Sequence, residues 1–180
     1  MTDAPLFVPL PQDLVPTEAN PEAVRIGSLL SLAIEKGLSV EGLEKLVALH
    51  ERVMDRSAAQ EFAQAMAQFQ EECPPIRKTT TATITTKSGG QYQYTYAELD
   101  EIARTVRPHL HKHGLSYSWD SACDDKMVSA TCVVQHVNGH SRRAGFSAPV
   151  DTLAQMSGAQ KYASALSFAK RQTLIQVLGV

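Results

Sequence analysis

Residues 127–147 read MVSATCVVQHVNGHSRRAGFS. At the centre stands Asn138-Gly139, the strongest short-range signal for a β-hairpin, because both residues tolerate the positive φ angles that a tight turn between strands demands. The segment before it, Met127 to Val137, and the one after it, Ser141 to Ser147, are therefore predicted to pair as antiparallel strands. Leu115 to Asp120, just upstream, supplies a third strand, and the three together form a meander.

Working outward, Pro149 closes the sheet, and Ser157 with Gln160 has the spacing of a capping box, in which each side chain satisfies a backbone N–H of the other. A helix from Ser157 to Leu178 follows. On the other side, Gly114 supplies the C-terminal stop of a helix whose Leu99, Ile102, Val106 and Leu110 share one face. Thr95 and Glu98 have capping-box spacing at its start, and Pro108 inside it predicts a kink or short interruption. Before this helix, Thr79 to Lys87 and Gln91 to Tyr94 read as a hairpin around Ser88-Gly89-Gly90. The first part of the chain is helical. Asn20-Pro21 starts one helix, which runs through Val24, Leu29, Leu32 and Ala33 to Gly37. Ser39 caps a second that carries Leu43, Leu46, Val47 and Leu49. It continues through Phe62, Met66 and Phe69 to Pro74-Pro75, with a break expected near Arg56-Ser57, where Ser57 and Gln60 again have capping-box spacing. The fold class is thus α+β: a hairpin plus a three-stranded antiparallel meander with packed helices, preceded by an N-terminal helical section. Residues 1–20 are expected to be a flexible acidic, proline-rich arm, 21–73 a helical section for packing or oligomer contacts, and 74–180 the functional core.

Charge is divided unevenly along the chain. Residues 1–73 hold five Lys/Arg against twelve Asp/Glu, whereas residues 74–180 hold twelve against seven. A polyanion partner is therefore expected at the C-terminal part. No apolar run reaches the roughly 18 residues of a membrane span. The first twenty residues lack a secretory pattern. Three cysteines, Cys73, Cys123 and Cys132, suit a reducing cytoplasm better than a disulfide framework. There is no Gly-rich phosphate loop with a following Lys-Ser/Thr, which argues against ATP-driven chemistry. His109, His111 and His113 sit in helical context, where only the first and last share a face. Cys132 and His136 stand without a CxxC or HExxH pattern, so no metal or other cofactor is expected. Asp120, Asp124 and Asp125 could hold a metal for nuclease chemistry, but a solvated loop explains them more simply. The expectation is a non-catalytic protein.

The residues suited to a polyanion are cations and aromatics. On the last helix, Tyr162, Ala165, Leu166, Ala169 and Thr173 form one stripe that can lie against a sheet. Lys161, Ser164, Phe168, Arg171 and Ile175 fall opposite, with Lys170 on the flank. Lys161, Lys170 and Arg171, held on a rigid element, could neutralise a phosphate backbone without reading its sequence; a solvated helix face is the alternative. In the hairpin, Tyr92, Tyr94 and Tyr96 alternate, with Arg77, Lys78 and Lys87 nearby. Such a stripe can stack unpaired bases, or can simply be core, and Tyr96 at the helix start is the most structural of the three. Arg142 and Arg143 follow the Asn-Gly turn and point to opposite faces. Arg104, Arg107 and His111 flank the apolar stripe of the middle helix, where Asp100 can pair with Arg104.

Two segments carry a resemblance to a known family. Residues 94–102, YTYAELDEI, continue through VRPHL at 106–110 to LHKHGL at 110–115, and this is similar to a "Y-x-Y-A-x-L" followed by "L-x-x-x-G-L". Residues 163–174, ASALSFAKRQTL, with Leu178-Gly179, resemble a helix "G-S-A-x-T-Y-A-x-R-Y-x-L". His136-x-x-Gly139 fits the same family's middle hairpin. The chain in this way resembles the Erf (essential recombination function) family of phage single-strand annealing proteins, over about residues 28–180. Ala163, Ser167, Phe168 and Gln172 depart from its pattern, while Lys170 and Arg171 keep the basic pair. The resemblance implies an annealing-recombinase β-β-β-α core, assembled into rings or filaments in the cytoplasm of a bacterial host. It implies single-stranded DNA and an annealed duplex intermediate as partners, with no nucleotide hydrolysis, and extends to a phage exonuclease or a host single-strand-binding protein. The DNA-contacting set expected on these grounds is Lys170, Arg171, Lys161, Arg142, Arg143, Arg77, Lys78, Lys87, Tyr92, Tyr94, Arg107 and Phe168. Two other readings compete. One is a structural assembly protein that binds no DNA. The other is a helix-turn-helix at Leu29 to Leu49 reading duplex DNA, although Glu41 and Glu44 oppose that electrostatically.

Overall fold

The computed structural model describes residues 21–85, 89–151 and 156–180. Its elements run α1 (Pro21–Glu35), α2 (Val40–Glu72), β1 (Thr80–Thr85), β2 (Gln91–Tyr96), α3 (Leu99–Lys112), β3 (Leu115–Cys123), β4 (Met127–His136), β5 (Ser141–Pro149) and α4 (Gly158–Leu178). This is the expected α+β order. The chain divides into two compact units, Met1–Arg52 and Val53–Val180. In the first, Ser39 Oγ accepts the backbone N–H of Gly42 at 3.2 Å and so caps α2. The half-buried residues there include Ile26, Leu30 and Ala33 on α1 and Leu43, Leu46 and His50 on α2, and none of residues 26–52 is fully buried.

In the second unit, β3, β4 and β5 form an antiparallel sheet in that order, and β1 and β2 form a separate two-stranded hairpin. β4 is central, pairing Val134 with Tyr117 on one side and Arg142 on the other. Its Val128, Ala130, Cys132 and Val134 alternate as buried residues, so one face of the sheet looks into the core. The Asn138-Gly139 turn lies in a four-residue loop, with Gly139 at φ +94°. The His136 N–H donates to His140 O at 2.9 Å across its base.

Two apolar clusters lie on that face. One gathers Phe62, Met66 and Phe69 of α2, Ile102, Val106 and Leu110 of α3, Cys132 and Val134 of β4, and Leu174, Val177 and Leu178 of α4. The other joins Val128, Ala130, Ala148 and Val150 to Ala169. Helix α4 thus belongs to both. Full burial of residues such as Phe69, Ile102 and Leu174 stabilises the fold by about 2 kcal/mol each before conformational entropy is set against it. The Ser157 cap of α4 forms as expected, with Ser157 and Gln160 bonding reciprocally. At the other end, the last carbonyls, which a helix leaves without partners, are taken up by side chains. Gln70 Nε2 donates to Leu178 O at 2.7 Å, and Arg142 Nη2 donates to Val177 O at 2.8 Å.

Three local expectations are corrected. Helix α2 runs through Arg56-Ser57 without a break; Ser57 Oγ donates to Glu61 Oε1 at 3.1 Å instead of capping a new helix. Thr95 and Glu98 form no capping box. Thr95 is held in the β ladder opposite Thr81, Glu98 is itself the N-cap residue without a side-chain cap bond, and its carboxylate accepts from Thr80 Oγ1 at 3.0 Å. Of the kink or interruption expected at Pro108, the interruption is absent: α3 runs unbroken over Leu99–Lys112, with Ile102, Val106 and Leu110 on both sides of the proline buried in the core.

Candidate nucleic-acid interface

The hairpin has two unlike faces. Directly opposed residues share a face, so the register Thr80–Tyr96, Ala82–Tyr94 and Ile84–Tyr92 puts three tyrosines, Ala82 and Ile84 together. Thr81, Thr83, Gln91, Gln93 and Thr95 form the polar side. The aromatic side is open: Tyr92 is 52% and Tyr94 43% exposed. The rings follow one another at 6.5 Å (Tyr92 to Tyr94) and 5.8 Å (Tyr94 to Tyr96). At the end of this ladder the Arg171 guanidinium lies 4.4 Å from the Tyr96 ring centre and 5.3 Å from that of Phe168. Phe168 in turn meets Phe146 edge-on at 5.7 Å. A guanidinium can stack by its faces while its edge N–H groups still reach phosphate oxygens.

The neighbouring cation is arranged similarly on the other flank. Lys170 Nζ stands 5.6 Å above the Trp119 ring of β3. Trp119 is fixed by its Nε1–H donating to Thr173 Oγ1 at 3.2 Å, and the same hydroxyl donates to Lys170 O at 2.9 Å. Thr173 is fully buried with both hydrogen-bonding roles used. Trp119 also meets Tyr117 edge-on at 5.0 Å. Beyond them, Arg107 and His111 of α3 line a cleft with Tyr117 and Trp119. Sequence reasoning left Trp119, Tyr96 and Thr173 out of the site. The signal available for Trp119 was its position as the sole tryptophan on a predicted strand, but nothing in the sequence pairs it with Lys170.

The other expected cations are dispersed. Arg77 and Lys78 are exposed in the segment before β1, and Lys161 is half-buried on the first turns of α4. Arg143 is exposed beside Val133, on the sheet face away from the core. Arg142 faces the other way and is engaged with the end of α4, its guanidinium also lying 5.9 Å from the Phe62 ring. Arg104 pairs with Glu101 at 3.1 Å, not with Asp100. Lys87 lies outside the described residues. The arrangement brings together Tyr92, Tyr94, Phe168, Lys170 and Arg171, with Tyr96 and Trp119 added to them.

Residues 62–180 match the pattern that defines the ERF superfamily. The chain belongs to the ERF superfamily. Membership supports a role in strand annealing and recombination. The matched region of this ERF chain starts at Phe62, the point at which α2 begins to contribute buried residues, and includes the tyrosine ladder and all of α4. No individually curated protein matches the chain.

Among the described residues no group of three or more His, Cys, Asp or Glu side chains could hold a metal ion. Burial pushes the Cys132 thiol up to about 12, so it stays protonated and unreactive. Asp124 is held below the usual carboxylate range by the backbone N–H groups of Lys126 and Met127, which it accepts at 2.9 and 2.7 Å. Its role there is to shape a turn. Among the described residues no helix is long and apolar enough to cross a membrane.

Proposed function

We propose that this protein binds single-stranded DNA and anneals it to a complementary strand during homologous recombination, without nucleotide hydrolysis or other catalysis, and as a homo-oligomer. The observation that carries this is the tyrosine ladder, with Tyr92 and Tyr94 exposed and half-buried Tyr96 meeting Arg171, within a chain of the ERF superfamily. Every base has a π-face, so an aromatic ladder holds unpaired bases without regard to sequence. Arg171 and Lys170, propped on aromatic rings, would take the backbone phosphates through their remaining N–H groups. A strand held in this way has already lost much of its conformational freedom and part of its charge. Both changes lower the barrier to pairing with a second strand. The cytoplasm of a bacterial host, where recombination supplies single strands, is the setting that fits.

The test is fluorescence anisotropy with labelled single strand, duplex and freshly annealed product, for wild type and Lys170→Ala/Arg171→Ala. Tight, sequence-independent binding to single strand or annealed product, lost in the variant and weakened steeply by salt, is the expected result. No binding at low salt would overturn the reading in favour of a structural assembly protein. Duplex-only binding unaffected by the substitutions would point to a duplex reader instead.

A further inference from the structure

The chain contains two asparagines, Asn20 and Asn138, and their chemistry differs because of the residue that follows each. An asparagine loses ammonia most readily when the backbone nitrogen of the next residue attacks its Cγ and closes a succinimide ring. Asn20 precedes Pro21, whose nitrogen carries no proton to give up, so the ring cannot form there. Asn138 precedes Gly139, which has no side chain to shield its nitrogen. Both residues are exposed at the tip of the β4–β5 turn, and the place where a Cβ of Gly139 would stand has no atom within 4 Å. The Gly139 N–H donates to His136 O at 2.9 Å, a bond that closes a surface turn and belongs to no sheet ladder. Bonds of this kind open locally at little cost.

The amide that would leave has a partner of its own. Asn138 Nδ2 donates to Glu61 Oε2 of α2 across 77 positions, and the other oxygen of that carboxylate accepts from Ser57 Oγ. The contact stands next to Phe62, whose ring meets that of His140 at 5.1 Å. An amide donates to a carboxylate, whereas an ionised carboxylate has nothing to donate.

We propose that Asn138 is a site of spontaneous deamidation, and that its conversion releases the β4–β5 turn from α2. A base takes the amide proton of Gly139, and the nitrogen bonds to Asn138 Cγ. The Cγ–Nδ2 bond breaks, and Nδ2 gains a proton and leaves as ammonia. Water then opens the succinimide at either carbonyl. One opening gives aspartate; the other gives isoaspartate, with the main chain rerouted through the side chain. The balance is asparagine plus water to an acidic residue plus ammonia, with nothing oxidised or reduced. Either product sets a carboxylate where the amide met Glu61, and so replaces a hydrogen bond by repulsion between like charges. Isoaspartate also lengthens the backbone of the short loop between His136 and Ser141, which loosens the base of the hairpin. The chemistry uses neither the tyrosine ladder nor Lys170 and Arg171, so it stands whether or not the protein binds DNA.

The experiment is incubation of the full chain at mildly alkaline pH, followed by ion-exchange chromatography and peptide mapping by mass spectrometry. Wild type is compared with Asn138→Gln, Asn138→Asp and Asn138→Asp/Glu61→Gln. The expected result is acidic material that grows with time in wild type and maps, as aspartate and isoaspartate, to position 138. It should be missing from Asn138→Gln, whose longer side chain closes its ring far more slowly. Asn138→Asp should unfold at lower urea than wild type, and the added Glu61→Gln should recover most of that loss, since a glutamine amide can donate to the new carboxylate. An asparagine still intact in wild type, under conditions that convert the same sequence in an excised peptide, would overturn the modification site. An Asn138→Asp variant as stable as wild type, or one that Glu61→Gln does not rescue, would overturn the release from α2.

Discussion

Replacing Arg171 separates the two jobs that its position suggests. Arg171→Gln removes its charge together with the guanidinium stacking, whereas Arg171→Lys removes the planar stacking and keeps the charge. Each phosphate neutralised on a single strand contributes about 0.7 to the slope of log K against log salt. If Arg171 contacts one phosphate, the glutamine variant loses that share, and its deficit against wild type shrinks about 2.6-fold as salt rises fourfold. The lysine variant keeps the charge and the slope. It loses the planar group held between Tyr96 and Phe168. A free lysine must then be ordered on binding, at about 0.5–1.5 kcal/mol, which corresponds to roughly 2- to 12-fold weaker affinity. Anisotropy titrations of a labelled oligonucleotide over about 50–200 mM salt read both quantities. A glutamine variant with the wild-type slope would refute the reasoning, and would leave Arg171 as a prop for the hairpin that touches no phosphate.

Other outcomes follow from the same contacts. Tyr92→Ala and Tyr94→Ala should each weaken single-strand binding by about 1–3 kcal/mol per stacked base with the salt slope unchanged; a changed slope would mean the rings act through the cations. Arg142→Ala should lower stability in urea by about 1–2 kcal/mol, since Val177 O at the end of α4 loses a charged donor. It should leave the salt slope alone, and a reduced slope would return Arg142 to the interface. Thr173→Val should cost about 1–2 kcal/mol by orphaning the Trp119 N–H. Because Trp119 is the sole tryptophan, its fluorescence should change with the substitution and recover in Thr173→Ser. Glu72 is held below its usual value of 4.5 by hydrogen bonds from Lys112 and then His113. A carboxylate depressed on folding adds stability above its unfolded pKa and loses it as pH falls through the folded one. Glu72→Gln should therefore flatten stability against pH around and below pH 4.5, and an unchanged acid limb would count against the Glu72 contacts.

What could be read from the sequence was local and self-consistent. Asn138-Gly139 and the Ser157–Gln160 box shape the backbone within a few residues, and the distant contact that Asn138 makes, from its side-chain amide to Glu61 of α2, leaves the turn itself in place. Thr95–Glu98 has the same capping-box spacing but fails, because Thr95 already belongs to a strand ladder and Thr80 reaches Glu98 across eighteen positions. Ser57 fails for a related reason: mid-helix, its hydroxyl finds Glu61 one turn on. Burial of Phe62, Met66 and Phe69 in the second unit rests on contacts with α3, β4 and α4 that are distant in sequence. The helical spacing of these residues suits a core or an intermolecular seam equally well. In the candidate site, adjacency of Lys170 and Arg171 was visible, but their aromatic supports were not. Trp119 and Tyr96 lie 51 and 75 positions away in the chain, and only the folded register brings them beneath the cations.

Helix α4 has one further consequence, for the order in which the protein can be made. Both apolar clusters include residues of this helix, Ala169 in one and Leu174, Val177 and Leu178 in the other. During synthesis the inner face of the sheet, with Val128, Ala130, Cys132 and Val134, emerges well before the helix that covers it. Folding of the core must therefore wait on the last turns of α4. A chain released short of Leu174 would keep its strands yet present an uncovered apolar face, a species prone to aggregate.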